Sequence, residues 1–229
     1  MTGFTVTELR IGKVAGLGPK GVSSGIDKQS VAGPVMARTL GLDGDEQGDI
    51  LRHGGKDKAL HAYSAAHFPL WSRDLPGDAA RFRPGAFGEN LVVEGATEAD
   101  LCLFDRFRLG GAVVEISQTR QPCWRLSLRF DRADMARRVQ QTGRTGWYFR
   151  VLEPGPITSN DRAELIARPQ PGWSLARVWR LLYRDTLDRA ALTDFAALPG
   201  LPENWQRMAA ARLARRAVED WRPRLDIPD

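Results

Sequence analysis

The side chain best placed to do chemistry is Cys123, in the run Ser117-Gln118-Thr119-Arg120-Gln121-Pro122-Cys123-Trp124-Arg125. Val113–Ile116 reads as a strand that delivers the chain into this loop, and Pro122 stiffens the position before the thiol. Arg120 and Arg125 flank the loop, and nearby positive charge favours a thiolate over a thiol. Such a thiolate attacks an electrophile or ligates a soft metal. The other cysteine, Cys102, has apolar neighbours in Leu101, Leu103 and Phe104 and reads as a small buried hydrophobe.

A second segment, Asp49 to Tyr63, holds His53 and His61, two of the three histidines, with Arg52, Lys56 and Lys58. Gly54 and Gly55 let the backbone approach a ligand closely and expose its amides to an anion. The histidine spacing does not match the zinc motifs, which need further ligands in register. Two more glycine-flanked stretches lie further along. In Arg83–Leu91, Glu89 and Asn90 are expected to point into a pocket, and in Gln141–Tyr148 the basic group is Arg144. Taken singly, each of these stretches reads equally well as a turn with solvated charges. The sequence has no phosphate-binding loop, dinucleotide fingerprint, serine elbow or paired-cysteine zinc pattern.

The elements that must position these residues are mostly strands. Leu9–Val14, Asn90–Val93, Arg106–Leu109, Ala112–Ile116 and Trp147–Leu152 are short apolar runs, several of them alternating with polar residues and bounded by Gly, Pro or Asp. Many short strands with frequent turns favour a sandwich or barrel. Two helices interrupt them, around Ser64–Leu75 and around Arg132–Gln141, the latter with Asp131 as its expected N-cap. Arg168-Pro169-Gln170-Pro171-Gly172 then reads as a stiff, solvated connector. It divides the chain into a β domain, 1–168, and a small helical domain, 169–229. Three helices are expected beyond it, at Leu175–Leu182, Leu187–Leu198 and Glu203–Trp221.

The chain of 229 residues is 42% hydrophobic and 27% charged, so it can bury a core without disulfides. Two cysteines, no basic and apolar leader and no long apolar run suggest a reducing, cytoplasmic setting away from membranes. The net charge of +5 comes mostly from Arg and suits an anionic ligand. Nucleic acid is a poorer match, because the Arg residues are spread along the chain rather than grouped in a stripe.

Taken together and in order, these segments resemble the MOSC-domain family, which is related to the C-termini of molybdenum-cofactor sulfurases. The resemblance is closest to its YiiM group. It is carried by Ser24–Lys28, Gly33-Pro34-Val35, Leu40–Asp45, His53-Gly54-Gly55 with Asp57-Lys58-Ala59, Pro84–Leu91, Gln118–Leu126 and Thr142–Tyr148. The helical tail resembles the three-helix domain of that group, so nearly the whole chain is covered. Departures are small: Lys56 and Thr119 stand where proline is usual, and Ser159-Asn160-Asp161 replaces a Gly-Asp turn.

The resemblance implies a mainly β fold, a MOSC β-barrel followed by a small C-terminal three-helix domain. It also implies a molybdenum–molybdopterin cofactor whose metal is ligated by Cys123. The activity it implies is reduction of small N-hydroxylated compounds, such as hydroxylaminopurine base analogues, with electrons from a separate reductase. Cofactor phosphate and pterin need cationic and amide donors. These are expected among Lys28, Arg52, His53, Gly54, Gly55, Lys58, His61, Asn90, Gln118, Arg120 and Arg144. The tail could cover the pocket, dock the reductase or mediate a homodimer. Two other classes stay open: a metal-free enzyme using Cys123 as nucleophile with His53 or His61 as base, and a non-catalytic molybdopterin carrier or sulfur-transfer module.

Overall fold

The computed structural model describes residues 3–228. Seven strands close into a barrel in the order Arg162–Ala167, Arg106–Leu109, Ala112–Thr119, Trp147–Glu153, Leu60–Ser64, Leu91–Glu94 and Gly3–Ile11. Gly3–Ile11 returns to Arg162–Ala167, with Phe4 opposite Ala163, and leaves the barrel no open seam. All neighbours are antiparallel except Leu60–Ser64 and Leu91–Glu94. A parallel pair needs a long crossover, and this one contains the helix His67–Asp74 and the 3-10 turn Pro76–Arg81. Four of the five expected strands fall where the alternation placed them, whereas the first runs Gly3–Ile11 and shares only three residues with the expected Leu9–Val14. The interior fills with Phe4, Phe107, Trp147 and Phe149, whose rings meet at centroid distances of 5.0–6.4 Å.

Ala112–Thr119 is buried along its whole length, because one face lines the barrel and the other is covered by helices and turns. Its pairing with Trp147–Glu153 slips between Ile116 and Gln118. The bulge sits at Ser117, whose hydroxyl lies 2.5 Å from the Asp57 carbonyl and 3.1 Å from that of Tyr148. A bulge bends its strand and re-aims the chain beyond it. Here that stretch of chain is the loop carrying Arg120 and Cys123.

Two helix boundaries differ from expectation. The helix expected to start after Asp131 runs Met135–Thr142. Asp131 is left-handed, with φ 48°, and caps nothing; Asp134 precedes the helix and its carboxylate pairs with Arg132 and Arg138. The last long helix ends at Arg215 rather than Trp221, closed by Arg216 at φ 52°. A further short helix, Arg222–Leu225, comes after it. The other two tail helices, Leu175–Tyr183 and Arg189–Ala196, begin at Ser174 and Asp188, whose side chains cap the first-turn amides.

The connector is pinned rather than free. Arg168 forks onto the buried Asp105 at 2.7 and 2.9 Å. Trp173, Leu175, Leu182, Phe195 and Trp205 join the same hydrophobic core as the barrel. Arg212, almost wholly buried, ties the tail together by donating to the Leu181 and Leu182 carbonyls and to Glu219. Arg212→Ala strips these carbonyls of their donor and is expected to lower unfolding stability by about 2–4 kcal/mol. Arg215→Ala, on the exposed face, is expected to stay within about 0.5 kcal/mol; urea unfolding of both variants checks the difference.

Candidate active site

His53 comes from a four-residue helix, Ile50–His53, whose N-cap Asp49 accepts from the Arg52 amide. The chain then turns at Gly55, φ 93°, a conformation that favours glycine, into the 3-10 turn Lys56–Lys58. Gln118 holds that turn by donating to the Asp57 carbonyl at 3.1 Å. Lys58 in turn donates to the Arg52 carbonyl. The result places His53 Nε2 3.3 Å from Cys123 Sγ. Asp49 also pairs with Arg125 at 3.3 Å, joining the histidine segment to the cysteine loop.

The loop itself is clamped from the far end of the sequence. The Trp124 amide donates to the Arg224 carbonyl at 2.8 Å. The Arg224 guanidinium donates to the Pro122 carbonyl at 2.5 Å and to Gln140 Oε1 at 2.6 Å. Both neighbours of Cys123 are therefore fixed by one residue of the tail.

Cys123, half-buried, stands where two cavities meet. His53, Lys58, Arg125 and Tyr148 line both. The inner cavity, about 80 Å³, also has Gly25, Ile26, Lys28, His61, Phe87, Gly88, Asn90 and Arg120 in its wall. The outer cleft, about 810 Å³, is bordered by Arg52, Gly54, Gly55 and Gln118 and by Arg207 and Arg224 from the tail.

The sequence-derived set thus converges with one exception. Arg144 points elsewhere: it pairs with Asp74 at 2.7 Å and lies 4.9 Å over the Trp71 ring, outside both cavities. Asn90 lines the inner cavity, but its amide is spent on the framework. Its Oδ1 accepts from the His61 amide, and its Nδ2 donates to the Arg10 carbonyl and Asp45. Lys28 is paired with Asp45. Glu89, expected to point into a pocket, is fully buried and instead accepts from the Gly85 and Phe87 amides at 2.6 and 3.0 Å. It shapes the loop that walls the inner cavity and does not reach it. Tyr148, Arg207 and Arg224 were missed as site residues, and alternation in Trp147–Leu152 was the one signal available for Tyr148.

Positive charge sets the electrostatics. Burial, reinforced by Arg125 and Lys58, pushes His53 down to about 4. Burial and Arg120 push His61 well down too. Both imidazoles are therefore neutral at physiological pH. Burial also lowers Lys58 from the ordinary lysine range.

The chain belongs to the MOSC-domain family, in the branch that carries a YiiM-like three-helix domain. The MOSC domain model matches residues 49–164 and the YiiM-like 3-alpha helix domain model residues 173–216. Protein YiiM of Escherichia coli is 36% identical over 210 residues, covering 90% of this chain and 92% of that protein. The crystal structure of Escherichia coli YiiM superposes with a TM-score of 0.80 at 31% identity, over 94% of this chain and 100% of that one. The Geobacillus stearothermophilus YiiM structure gives 0.78 at 33% identity, over 92% and 99%. A Gibberella moniliformis protein named Reductase is 36% identical over 179 residues, which are 78% of this chain and 32% of that protein.

The burial pattern sets two titrations. His53 ring resonances are expected to show no protonation step between pH 5.5 and 9, because the neutral form persists down to about 4; an NMR titration reads this directly. Glu89 behaves oppositely to an exposed carboxylate, since burial raises it from 4.5 to about 7. The folded state then holds a proton that the unfolded chain releases. Its contribution is fully present below about 4.5 and is lost as pH rises through 7, a change of about 3 kcal/mol. Thermal unfolding of Glu89→Gln should show a flatter pH dependence than the parent across that window.

Proposed function

We propose that the protein reduces N-hydroxylated compounds to amines, using a molybdenum–pterin cofactor whose metal is ligated by Cys123. The observation that carries this reading is the position of that thiol, alone at the meeting point of a small inner cavity and a large donor-lined cleft. Among the described residues no group of three or more His, Cys, Asp or Glu is arranged to hold a metal ion. A single soft sulfur suits a metal whose remaining ligands arrive on their own organic cofactor. The residues present fit such a group. The outer cleft offers Arg52, Lys58, Arg125, Arg207 and Arg224 and the backbone of Gly54-Gly55 for phosphate and pterin.

When bound, the cofactor supplies the two-electron couple for R–NHOH + 2e⁻ + 2H⁺ → R–NH₂ + H₂O. The chain's own residues then hold and orient. Arg224 and the Ser117 bulge keep Cys123 at a fixed height above the barrel. Neutral His53 interacts with the sulfur without adding charge to a site already rich in cations. Lys58, half-buried, lines both cavities and is a charged proton source at their junction.

In this reading a separate reductase supplies the electrons. No described helix is long and apolar enough to cross a membrane.

The contact between His53 and Cys123 favours a second reading, a metal-free cysteine nucleophile with His53 as base. Such pairs work best as thiolate and imidazolium, and the burial and cations around His53 oppose its protonation. Expression in a host that makes molybdenum cofactor, followed by assay of bound molybdenum and pterin, decides between them. The parent is expected to carry both and to reduce N-hydroxylated compounds. Cys123→Ser is expected to lose at least about 90% of the metal, a shift of ~1.4 kcal/mol or more in occupancy. Metal and pterin without reduction would make the protein a carrier or sulfur-transfer module. Neither in either protein would leave the nucleophile reading.

A further inference from the structure

Among the described residues three Lys or Arg side chains are buried, Lys28, Arg120 and Arg212. Lys28 is paired with Asp45 and Arg212 with Glu219. Arg120 has no carboxylate partner. It is 6% exposed and lines the inner cavity. Its Nη1 has no hydrogen-bond partner, and its polar neighbour is the Tyr148 hydroxyl. A buried charge without a counter-ion is costly unless a ligand completes it. The carboxylates in the same wall are already committed, Asp45 to Lys28 and Glu46 to Lys13 and the Val14 amide. The cavity is therefore left net positive, in agreement with the suppressed protonation of His61 beside Arg120.

Size separates this cavity from the cleft. About 80 Å³ suits a compact group, whereas the roomier space of about 810 Å³ lies on the other side of Cys123. Ile26 and Phe87 give the inner wall apolar surface, against which Arg120 stands as a buried cation with no carboxylate partner.

We propose that the inner cavity is a subsite separate from the cofactor cleft, in which Arg120 receives the oxygen end of the substrate's N–O group beside Cys123. This assigns Arg120 to substrate rather than to pterin or phosphate. A guanidinium donates to an oxygen acceptor and gives nothing to an amine hydrogen. The subsite therefore distinguishes an N-hydroxylated compound from the amine it becomes, and the amine leaves without a hold on Arg120. The proposal takes its substrate class from the reductase reading. The site itself is testable without metal, cofactor or turnover.

The test is an amide NMR titration of the cofactor-free protein with three probes: N-hydroxyurea, urea, which lacks only the oxygen, and nitrate, a compact oxyanion. N-hydroxyurea and nitrate are expected to shift the amides of Gly25, Gly88 and Arg120 while Gly54 and Gly55 stay still, and urea, left with its carbonyl oxygen alone, is expected to shift them at least about tenfold more weakly at equal concentration. Arg120→Gln should abolish the response. Ile26→Phe, which fills the cavity and leaves the charge in place, should weaken it, and Arg120→Lys should restore part of it. Circular dichroism of each variant separates lost binding from lost fold. Equal shifts from urea and N-hydroxyurea would overturn the proposal, as would shifts confined to Gly54 and Gly55 or a full response in Arg120→Gln. Nitrate binding without N-hydroxyurea binding would also overturn it, leaving an anion site unrelated to substrate. In the loaded enzyme Arg120→Gln should raise KM at least about tenfold with molybdenum content unchanged. Loss of metal in that variant would instead place Arg120 on the cofactor, whether or not the protein is a reductase.

Discussion

The hydroxyl of Ser117 lies between the carbonyls of Asp57 and Tyr148, and the geometry of the site hangs on it. It has one hydrogen to share between two acceptors, so it ties three segments together at one point: the bulged strand, the 3-10 turn after His53, and the strand bearing Tyr148. The bulge around it turns the chain out of the barrel toward Arg120 and Cys123. Gln118, the next residue, fastens the same turn from its own side. A thiol displayed by a free loop would wander by more than a reacting atom tolerates, and here it inherits the rigidity of a closed barrel.

A closed barrel also explains the charge distribution. Its interior is occupied by aromatic and aliphatic side chains, and the two cavities described lie at the rim, where irregular segments cross the strand ends. The rim segments carry cations at Lys28, Arg52, Lys58, Arg120 and Arg125. Where a carboxylate meets one of these it fixes structure, as Asp45 does for Lys28 and Asp49 for Arg125. What is left over is field, and that field adds to the burial that keeps both nearby imidazoles neutral. Stability and recognition thus draw on the same set of charges, divided by which of them are paired.

Much of this was legible in the residues. Period-two alternation located most of the barrel strands, and the Gly-Gly turn and Arg-flanked thiol marked two of the segments that meet at the site. What the sequence could not disclose was direction. Arg144 and Arg120 have similar surroundings on paper, each beside a glycine or proline turn, yet one stacks on Trp71 and the other enters the cavity. The difference lies in which acid stands within reach, and Asp74 is 70 residues from Arg144. Glu89 misled for the opposite reason. Its carboxylate was satisfied within four residues by backbone amides, which side-chain patterning does not display. Helix ends failed where a left-handed residue, Asp131 or Arg216, rather than a proline or glycine, set the boundary.

The grip of Arg224 on the cysteine loop has a consequence for biosynthesis. The residue that fixes Pro122 lies 102 positions later in the chain. While the protein is being made, Cys123 leaves the ribosome well before its clamp exists, in a loop held only from the barrel side. The outer cleft acquires its far wall, with Arg207 and Arg224, only when the helical tail has packed onto the finished barrel. A large cofactor arriving early would find half a site. If the proposed cofactor is bound, its loading belongs after the tail has docked, and a nascent chain stalled before residue 224 would present its thiol in half a site.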